Sequence, residues 1–243
     1  MSVNTFIPEK MHDLVRVQNQ SVVMGLSGGL DSAVLLAAFL RYGAHKVYCC
    51  TFDYGSTHGP YERAAAMALL KHYDMPKVVH IDFDLRTVFK GFSSALLAEQ
   101  KKEIPEGRYS RENIVKTKVP GRNLIFASIM AGIAESVGAQ YVALGIHGGD
   151  HDLYADCTPE FAKAVDSAVY QSSNRKVEVI APLLRLHKAE IVRMGDELNV
   201  PFALTRSCYK PQPISCGKCA TCVERRQAFD AAGIKDPIPY EDE

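Results

Sequence analysis

Residues Met24 to Val34 read MGLSGGLDSAV, between the apolar run SVVMGL and the apolar run AVLLAAFL. The first run reads as a buried strand and the second as the body of a helix. Two glycines, two serines and one aspartate lie where strand turns into helix. Such a junction can cradle phosphate, because free backbone N–H groups and the helix dipole both favour an anion there. A Walker A loop would end in Gly-Lys-Ser/Thr, and no lysine is present. A dinucleotide fingerprint would need G-x-G-x-x-G, which GLSGGLDS does not supply. A third spacing, S-G-G-x-D-S, is met by Ser27-Gly28-Gly29-Leu30-Asp31-Ser32. Gly28 and Gly29 would let backbone approach phosphate, Ser27 and Ser32 offer hydroxyls, and Asp31 can hold Mg²⁺. The plainer alternative is a Gly-Gly turn with Asp31 or Ser32 capping the helix.

Outward from this loop, strand-like and helix-like segments alternate. DSAVLLAAFLRYG reads as a helix, KVYCCTFDY as a second strand, PYERAAAMALLKHYD as a helix and KVVHIDFD as a third strand. Residues 98–123 are polar and lack a clear period, which suggests a functional lid or a disordered segment. A helix (NLIFASIMAGIAESVG), a strand (QYVALGIHGG), a helix (PEFAKAVDSAVYQSS), a strand (KVEVIAPL) and a helix (HKAEIVRMGDELN) follow. This order predicts an α/β fold: a doubly wound, mostly parallel sheet with helices on both faces. The expected divisions are an N-terminal extension over 1–20, a nucleotide-binding domain over 21–200, and a small module over 201–243. That module is rich in cysteine, proline and glycine and closes on the helix CVERRQAFDAAG.

The bulk numbers exclude several classes. Lys+Arg and Asp+Glu balance at 28 each in 243 residues, so the chain as a whole lacks a basic footprint for nucleic acid. The apolar stretches are too short to span a bilayer, and the first residues do not read as a secretory signal. A cytoplasmic enzyme acting on a small molecule, with no membrane and no direct nucleic-acid partner, is expected.

Four of the seven cysteines crowd together as Cys208, Cys216, Cys219 and Cys222, spaced C-x7-C-x2-C-x2-C. Two-residue gaps let neighbouring thiolates turn onto one ion, so a structural Zn²⁺ is expected, with an iron–sulfur cluster as the rival. Cys49 and Cys50 read as small buried hydrophobes in a strand. Cys157 reads as a packed residue at a strand-to-helix junction, with a reactive thiol as the alternative.

SGGLDS resembles the PP-loop of the ATP pyrophosphatase superfamily. The longer series resembles one family within it, the QueC-type 7-cyano-7-deazaguanine synthases. The matching pieces are FDYG at 52–55, IPEGRY at 104–109, VPGRN at 119–123, GIHGGDHDLYADCTPEF at 145–161, HKAEI at 187–191, and the cysteine block at 207–229. Ala155 stands where the family usually has proline, and the segment before the first strand is longer than most members carry.

The resemblance implies a reaction. ATP activates 7-carboxy-7-deazaguanine as an acyl-adenylate, releasing pyrophosphate. Free ammonia gives the amide, and a second activation with loss of water gives the nitrile. It also implies a homodimer. Leu26, Ser27, Gly28, Gly29, Leu30 and Asp31 would hold ATP together with Ser32, Ala33, Val34, Leu35 and Leu36. Phe52 and Tyr54 would pack on adenine or serve as core aromatics. Arg122 would take phosphate or the substrate carboxylate, and Lys188 would reach the phosphates. Ser27, Asp31, Arg122 and Lys188 form the expected catalytic set. Asp150, Tyr154 and Asp156 would read the guanine-like face, with His147 orienting one of them. Two rival readings share the loop: a paralogue stopping at 7-amido-7-deazaguanine, and a PP-loop enzyme of tRNA thiolation.

Overall fold

The structure, a computed structural model, describes residues 12–150, the last without its side chain, and 154–242. Five strands, β1 (Ser21–Gly25), β2 (Lys46–Asp53), β3 (Val78–Asp84), β4 (Tyr141–Ala143) and β5 (Glu178–Ile180), form one sheet. Their order is β3-β2-β1-β4-β5, and every pairing is parallel. The chain starts in the middle, builds outward to β3, then returns across β1 to β4 and β5. The crevice where the order reverses therefore opens at the carboxyl end of β1, where open α/β sheets bind ligands.

The sheet is covered on both faces, and the strands show why. Val22, Met24, Val47 and Cys49 belong to one core, while their neighbours Val23 and Cys50 belong to a second. Successive side chains point to opposite faces, so an unbroken apolar run marks a strand buried on both. Cys49 and Cys50 are fully buried, one in each core, as small hydrophobes. Burial pushes the Cys50 thiol up to about 12.

Helices α2 (Leu30–Arg41), α3 (Gly59–His72), α7 (Lys188–Glu197) and α8 (Ala220–Ala232) contribute residues to the first core. Helices α5 (Arg122–Val137) and α6 (Pro159–Ser172) cover the other face. Local chemistry sets their ends. Pro60 occupies the first turn of α3, the Thr158 hydroxyl caps α6, and α5 ends on Gly138 in the left-handed conformation.

The described part of the N-terminal segment is built into the main core. Helix α1 (His12–Arg16) buries Leu14, Val17 follows it, and the Asp13 carboxylate accepts the Ala181 N–H at 3.2 Å. Residues 1–11 of the expected extension lie outside the described residues. The C-terminal module is likewise continuous with the core, because Phe202, Ala228 and Phe229 pack within it. Among the described residues no helix is long and apolar enough to cross a membrane.

Residues 98–123 are ordered, not the disordered segment that polarity allowed. They contain a short helix, α4 (Arg111–Thr117), capped by the Ser110 hydroxyl. The surrounding stretch is pinned by Leu85, Phe89, Leu96, Leu97 and Val119, which join Tyr54 in a third apolar cluster. These anchors are irregularly spaced, so no period betrays them.

Candidate active site

The crevice is a cavity of about 640 Å³ lined by the glycine-rich loop, the end of β2, the start of α3, the start of α5 and the cysteine-bearing segment. The loop's shape follows from its small residues. Gly28 has φ +81°, and its backbone lies against α3 so closely that an added Cβ would sit 2.5 Å from the Glu62 carbonyl oxygen. Only glycine takes both that angle and that contact without strain. The Gly29 N–H donates to Ser27 Oγ at 3.1 Å, and Ser32 Oγ donates to the Gly29 carbonyl at 3.0 Å. Ser27 and Ser32 thus lie within one small ring of polar contacts at the mouth of α2.

Of the span expected to hold ATP, Leu26, Ser27, Gly29, Leu30, Asp31 and Ser32 line the cavity. Ala33, Val34, Leu35 and Leu36 are instead buried in the core on α2. Their part is to hold the helix, and with it the dipole, in place.

Asp31 and Lys188 meet, 157 positions apart in sequence: Lys188 Nζ donates to Asp31 Oδ2 at 2.7 Å. The same ammonium lies 3.0 Å from His147 Nε2 and 3.4 Å from Glu224 Oε2. Burial pulls the Asp31 carboxyl up, but Lys188 and His147 outweigh it and hold it below the ordinary value. Its Oδ1 is buried without a hydrogen-bond partner. A bare carboxylate oxygen at a phosphate cradle has the hardness and charge that Mg²⁺ selects, so the site fits that ion.

Arg122 opens α5 directly after Gly121, which has φ +64°. It donates to Tyr54 Oη at 3.1 Å. Burial alone would push the guanidinium down; Tyr54, Tyr209 and Glu62 outweigh it and hold it above its ordinary value. Phe52 stacks on Phe126 at 4.2 Å and Phe83 at 5.3 Å, and Tyr54 meets Phe89 and Phe126. Both rings are therefore core aromatics that also form cavity wall.

The residues expected around the base fall in different places. His147 joins Lys188 and Asp31, and its Nδ1 accepts the Gly149 N–H at 3.2 Å. Tyr154 approaches the cavity through Tyr109, ring against ring at 6.2 Å. Asp156 sits in a short turn before α6, its carbonyl accepting from Asn123 at 3.2 Å, and does not line the cavity. Asp150 ends a turn after β4, and its side chain lies outside the described residues. Cys157, beside Asp156, is buried and forms part of the wall.

Four further residues were not singled out from the sequence: His58 and Glu62 at the start of α3, Asn123 within VPGRN, and Glu224 on α8. All four line the cavity.

Cys208, Cys216, Cys219 and Cys222 come together with their sulfurs all within 4.8 Å of one another, and all four are buried. Backbone N–H groups of Lys210, Cys216, Lys218 and Cys219 point at the sulfurs of Cys208 and Cys216 at 3.3–3.4 Å. Such donors stabilise thiolates, so the cluster fits a thiolate-bound metal.

Comparison with known proteins agrees with this geometry. The sequence model of the family described as "Queuosine biosynthesis protein QueC" matches residues 21–233. A 7-cyano-7-deazaguanine synthase of Archaeoglobus fulgidus is 42% identical over 222 residues, covering 91% of this chain and 90% of that one. One from Caldicellulosiruptor bescii is 39% identical over 220 residues, covering 90% and 96%. In three dimensions the chain is similar to the U34-tRNA thiolase NcsA of Methanococcus maripaludis, solved with its [4Fe-4S] cluster. The TM-score is 0.53 at 16% identity, over 91% of this chain and 70% of that one. It is also similar to the NMN synthetase of Francisella tularensis, with TM-score 0.50 at 16% identity over 85% and 75%. At that identity the two structures speak to the fold alone.

Proposed function

The chain belongs to the QueC family of queuosine biosynthesis proteins, and from that premise we propose that it converts 7-carboxy-7-deazaguanine, ammonia and ATP into 7-cyano-7-deazaguanine. The supporting observation is that Asp31, paired with Lys188, and Arg122 line one cavity. A carboxylate does not react with an amine until its oxygen becomes a leaving group. A cavity that takes both a triphosphate and a carboxylate is built for that activation.

In this reading Ser27, Gly29 and Ser32 receive the β and γ phosphates at the start of α2. Lys188 moves from Asp31 towards the phosphate oxygens, and Asp31, with its bare Oδ1, would hold Mg²⁺. That ion would neutralise charge on the departing pyrophosphate. The Arg122 fork holds the substrate carboxylate and keeps it anionic and aligned until it attacks the α-phosphorus. His147 fixes the position of Lys188, while Tyr109, Tyr154 and Tyr209 enclose the base side. Asp150 remains a proposed acceptor for the purine-like donors, while Asp156, outside the cavity lining, is left to brace the turn before α6. The four cysteines hold Zn²⁺ as a structural ion away from the chemistry. A cytoplasmic homodimer without nucleic-acid or membrane partners completes the reading.

The test is a mass-resolved incubation with ATP, Mg²⁺, ammonium and 7-carboxy-7-deazaguanine. Nitrile with AMP and pyrophosphate supports the synthase. A product stopping at the amide assigns the chain to the shorter reaction. ATP binding without turnover of this substrate returns the case to tRNA thiolation.

A further inference from the structure

The amide-forming step leaves a proton without an acceptor among the groups assigned above. Ammonia forms a C–N bond at the activated carboxyl carbon. The C–O bond to the α-phosphate breaks, and AMP leaves with the electron pair. Nitrogen arrives with three protons and keeps two, so one must pass to a base beside that carbon.

Most candidates are engaged. Asp31 and Glu224 face Lys188. Asp53 accepts the Gly55 N–H at 3.0 Å and lies 3.6 Å from Arg86. Burial raises the phenols of Tyr54, Tyr109 and Tyr209, which leaves them donors at neutral pH.

His58 differs from all of these. It sits at the cap of α3, 1% exposed, in the cavity wall. Neither of its ring nitrogens has a hydrogen-bond partner. A buried polar group without a partner is costly, and a catalytic role is one of the explanations such a group calls for. Nε2 faces Glu62 Oε2 at 3.5 Å, one turn along the same helix. That is too long for a hydrogen bond, yet it is the right partner to hold the ring and to stabilise an imidazolium. Tyr209 packs against the ring at 5.2 Å.

Burial lowers the pKa of His58 first of all; Arg122 and Arg206 act in the same sense, while Glu62 and Cys219 oppose. The ring is thus neutral, with a lone pair to offer. The glycine-rich loop lies close by, through Gly28 against Glu62, and Arg122 lines the same cavity.

We propose that His58 is the general base for amide formation, taking the proton from attacking ammonia at Nδ1 while Glu62 positions the ring through Nε2. This rests on the reading that the cavity adenylates a carboxylate and admits ammonia. It holds whether the chain stops at the amide or goes on to the nitrile.

The experiment separates two half-reactions in the metal-loaded full chain. Pyrophosphate–ATP exchange that depends on 7-carboxy-7-deazaguanine reads adenylation. Mass-resolved amide formation from ammonium reads the second step. His58→Gln should keep exchange within about threefold of wild type and lose about 10²–10⁴-fold in amide formation. Glu62→Gln should lose less, in the same step. The wild-type rate per free ammonia should fall on acidification through a pKa below 6.5, and His58→Gln should lack that limb. Amide formation by His58→Gln at the wild-type rate overturns the proposal, as does an equal loss in both half-reactions. Should His58→Gln not fold, a wild-type profile flat down to about pH 5 overturns it. Absence of exchange in wild type overturns the adenylation reading itself, and this proposal with it.

Discussion

Replacing Gly28 by alanine tests the cradle with one methyl group. The backbone there has φ +81°, and the new Cβ would lie 2.5 Å from the Glu62 carbonyl oxygen, 2.7 Å from the Ala66 nitrogen and 2.8 Å from the Ala65 Cβ. The first two are main-chain atoms of α3, so no side chain can swing aside. The left-handed conformation costs alanine about 1–2 kcal/mol. Forcing a methyl into a packed contact costs about 1–3 kcal/mol more. Together these lower Tm by about 4–20 °C in a domain of this size. Any relief requires α3 or the loop itself to shift, which moves the backbone that receives the phosphates, so pyrophosphate exchange should fall with stability. Gly29→Ala is the matched control. Its φ is −74°, and its Cβ would meet Ser27 Oγ at 3.1 Å and, at the ordinary contact distance of 3.6 Å, the Arg206 carbonyl oxygen. That variant should melt near wild type. Thermal melting and exchange, measured on both variants, decide the matter. A Gly28→Ala protein that melts within about 2 °C of wild type and exchanges fully would refute the close approach of loop and helix.

Arg122→Lys keeps a charge but loses the planar fork and the bond to Tyr54 Oη, and should raise KM for the carboxylate in exchange by about 10–100-fold; an unchanged KM would place the carboxylate elsewhere. Stability should also depend on pH through His58, whose folded pKa lies below 6.5 because burial disfavours the charged ring. The unfolded chain then takes the proton first, so the contribution of the neutral ring is complete above 6.5 and declines as pH falls towards the folded value. The Tm advantage of wild type over His58→Gln should therefore shrink on acidification, and a constant difference between about pH 8 and about pH 5 would contradict a neutral buried ring.

What could be read from sequence was chemistry carried by contiguous spacing. Ser27 to Ser32 and the four cysteines announce themselves because unlike residue types fall at fixed short intervals. The strands were legible because Val22, Val23 and Met24 are apolar on both faces. What escaped was chemistry assembled by the fold. His147 was expected to orient one of Asp150, Tyr154 and Asp156, and its approach to Lys188, 41 positions on, carried no signal in the sequence. His58 drew no reading of its own, and it becomes cavity wall through the packing of α3 on Gly28 and of Tyr209 on its ring. Helix α4 stayed hidden because seven residues are too few to show a period.

The cysteine cluster touches no phosphate, yet the segment that carries it holds both ends of the site. The Arg206 N–H donates to the Gly28 carbonyl at 2.9 Å, and its guanidinium binds the carbonyls of Lys210, Gln212 and Pro213 at 2.7–3.1 Å, within the loop between the first two cysteines. That guanidinium also stacks on Tyr61 of α3 at 4.6 Å. Glu224, two residues beyond Cys222, reaches Lys188, and the Gly107 N–H donates to the Lys218 carbonyl at 2.8 Å, tying in the segment that bears Tyr109. A loop with so little core of its own would take its shape from an ion held by the four thiolates. Removing that ion should therefore loosen Gly28, Lys188 and Tyr109 at once. Chelation, or Cys219→Ser, should lower Tm and reduce substrate-dependent exchange together, and both should recover when the chelated wild type is reloaded with the metal that mass analysis finds in it. A metal-free protein that melted lower but exchanged at the full rate would mean that the module shapes only itself, and that the contacts through Arg206 and Glu224 carry no constraint to the phosphate cradle.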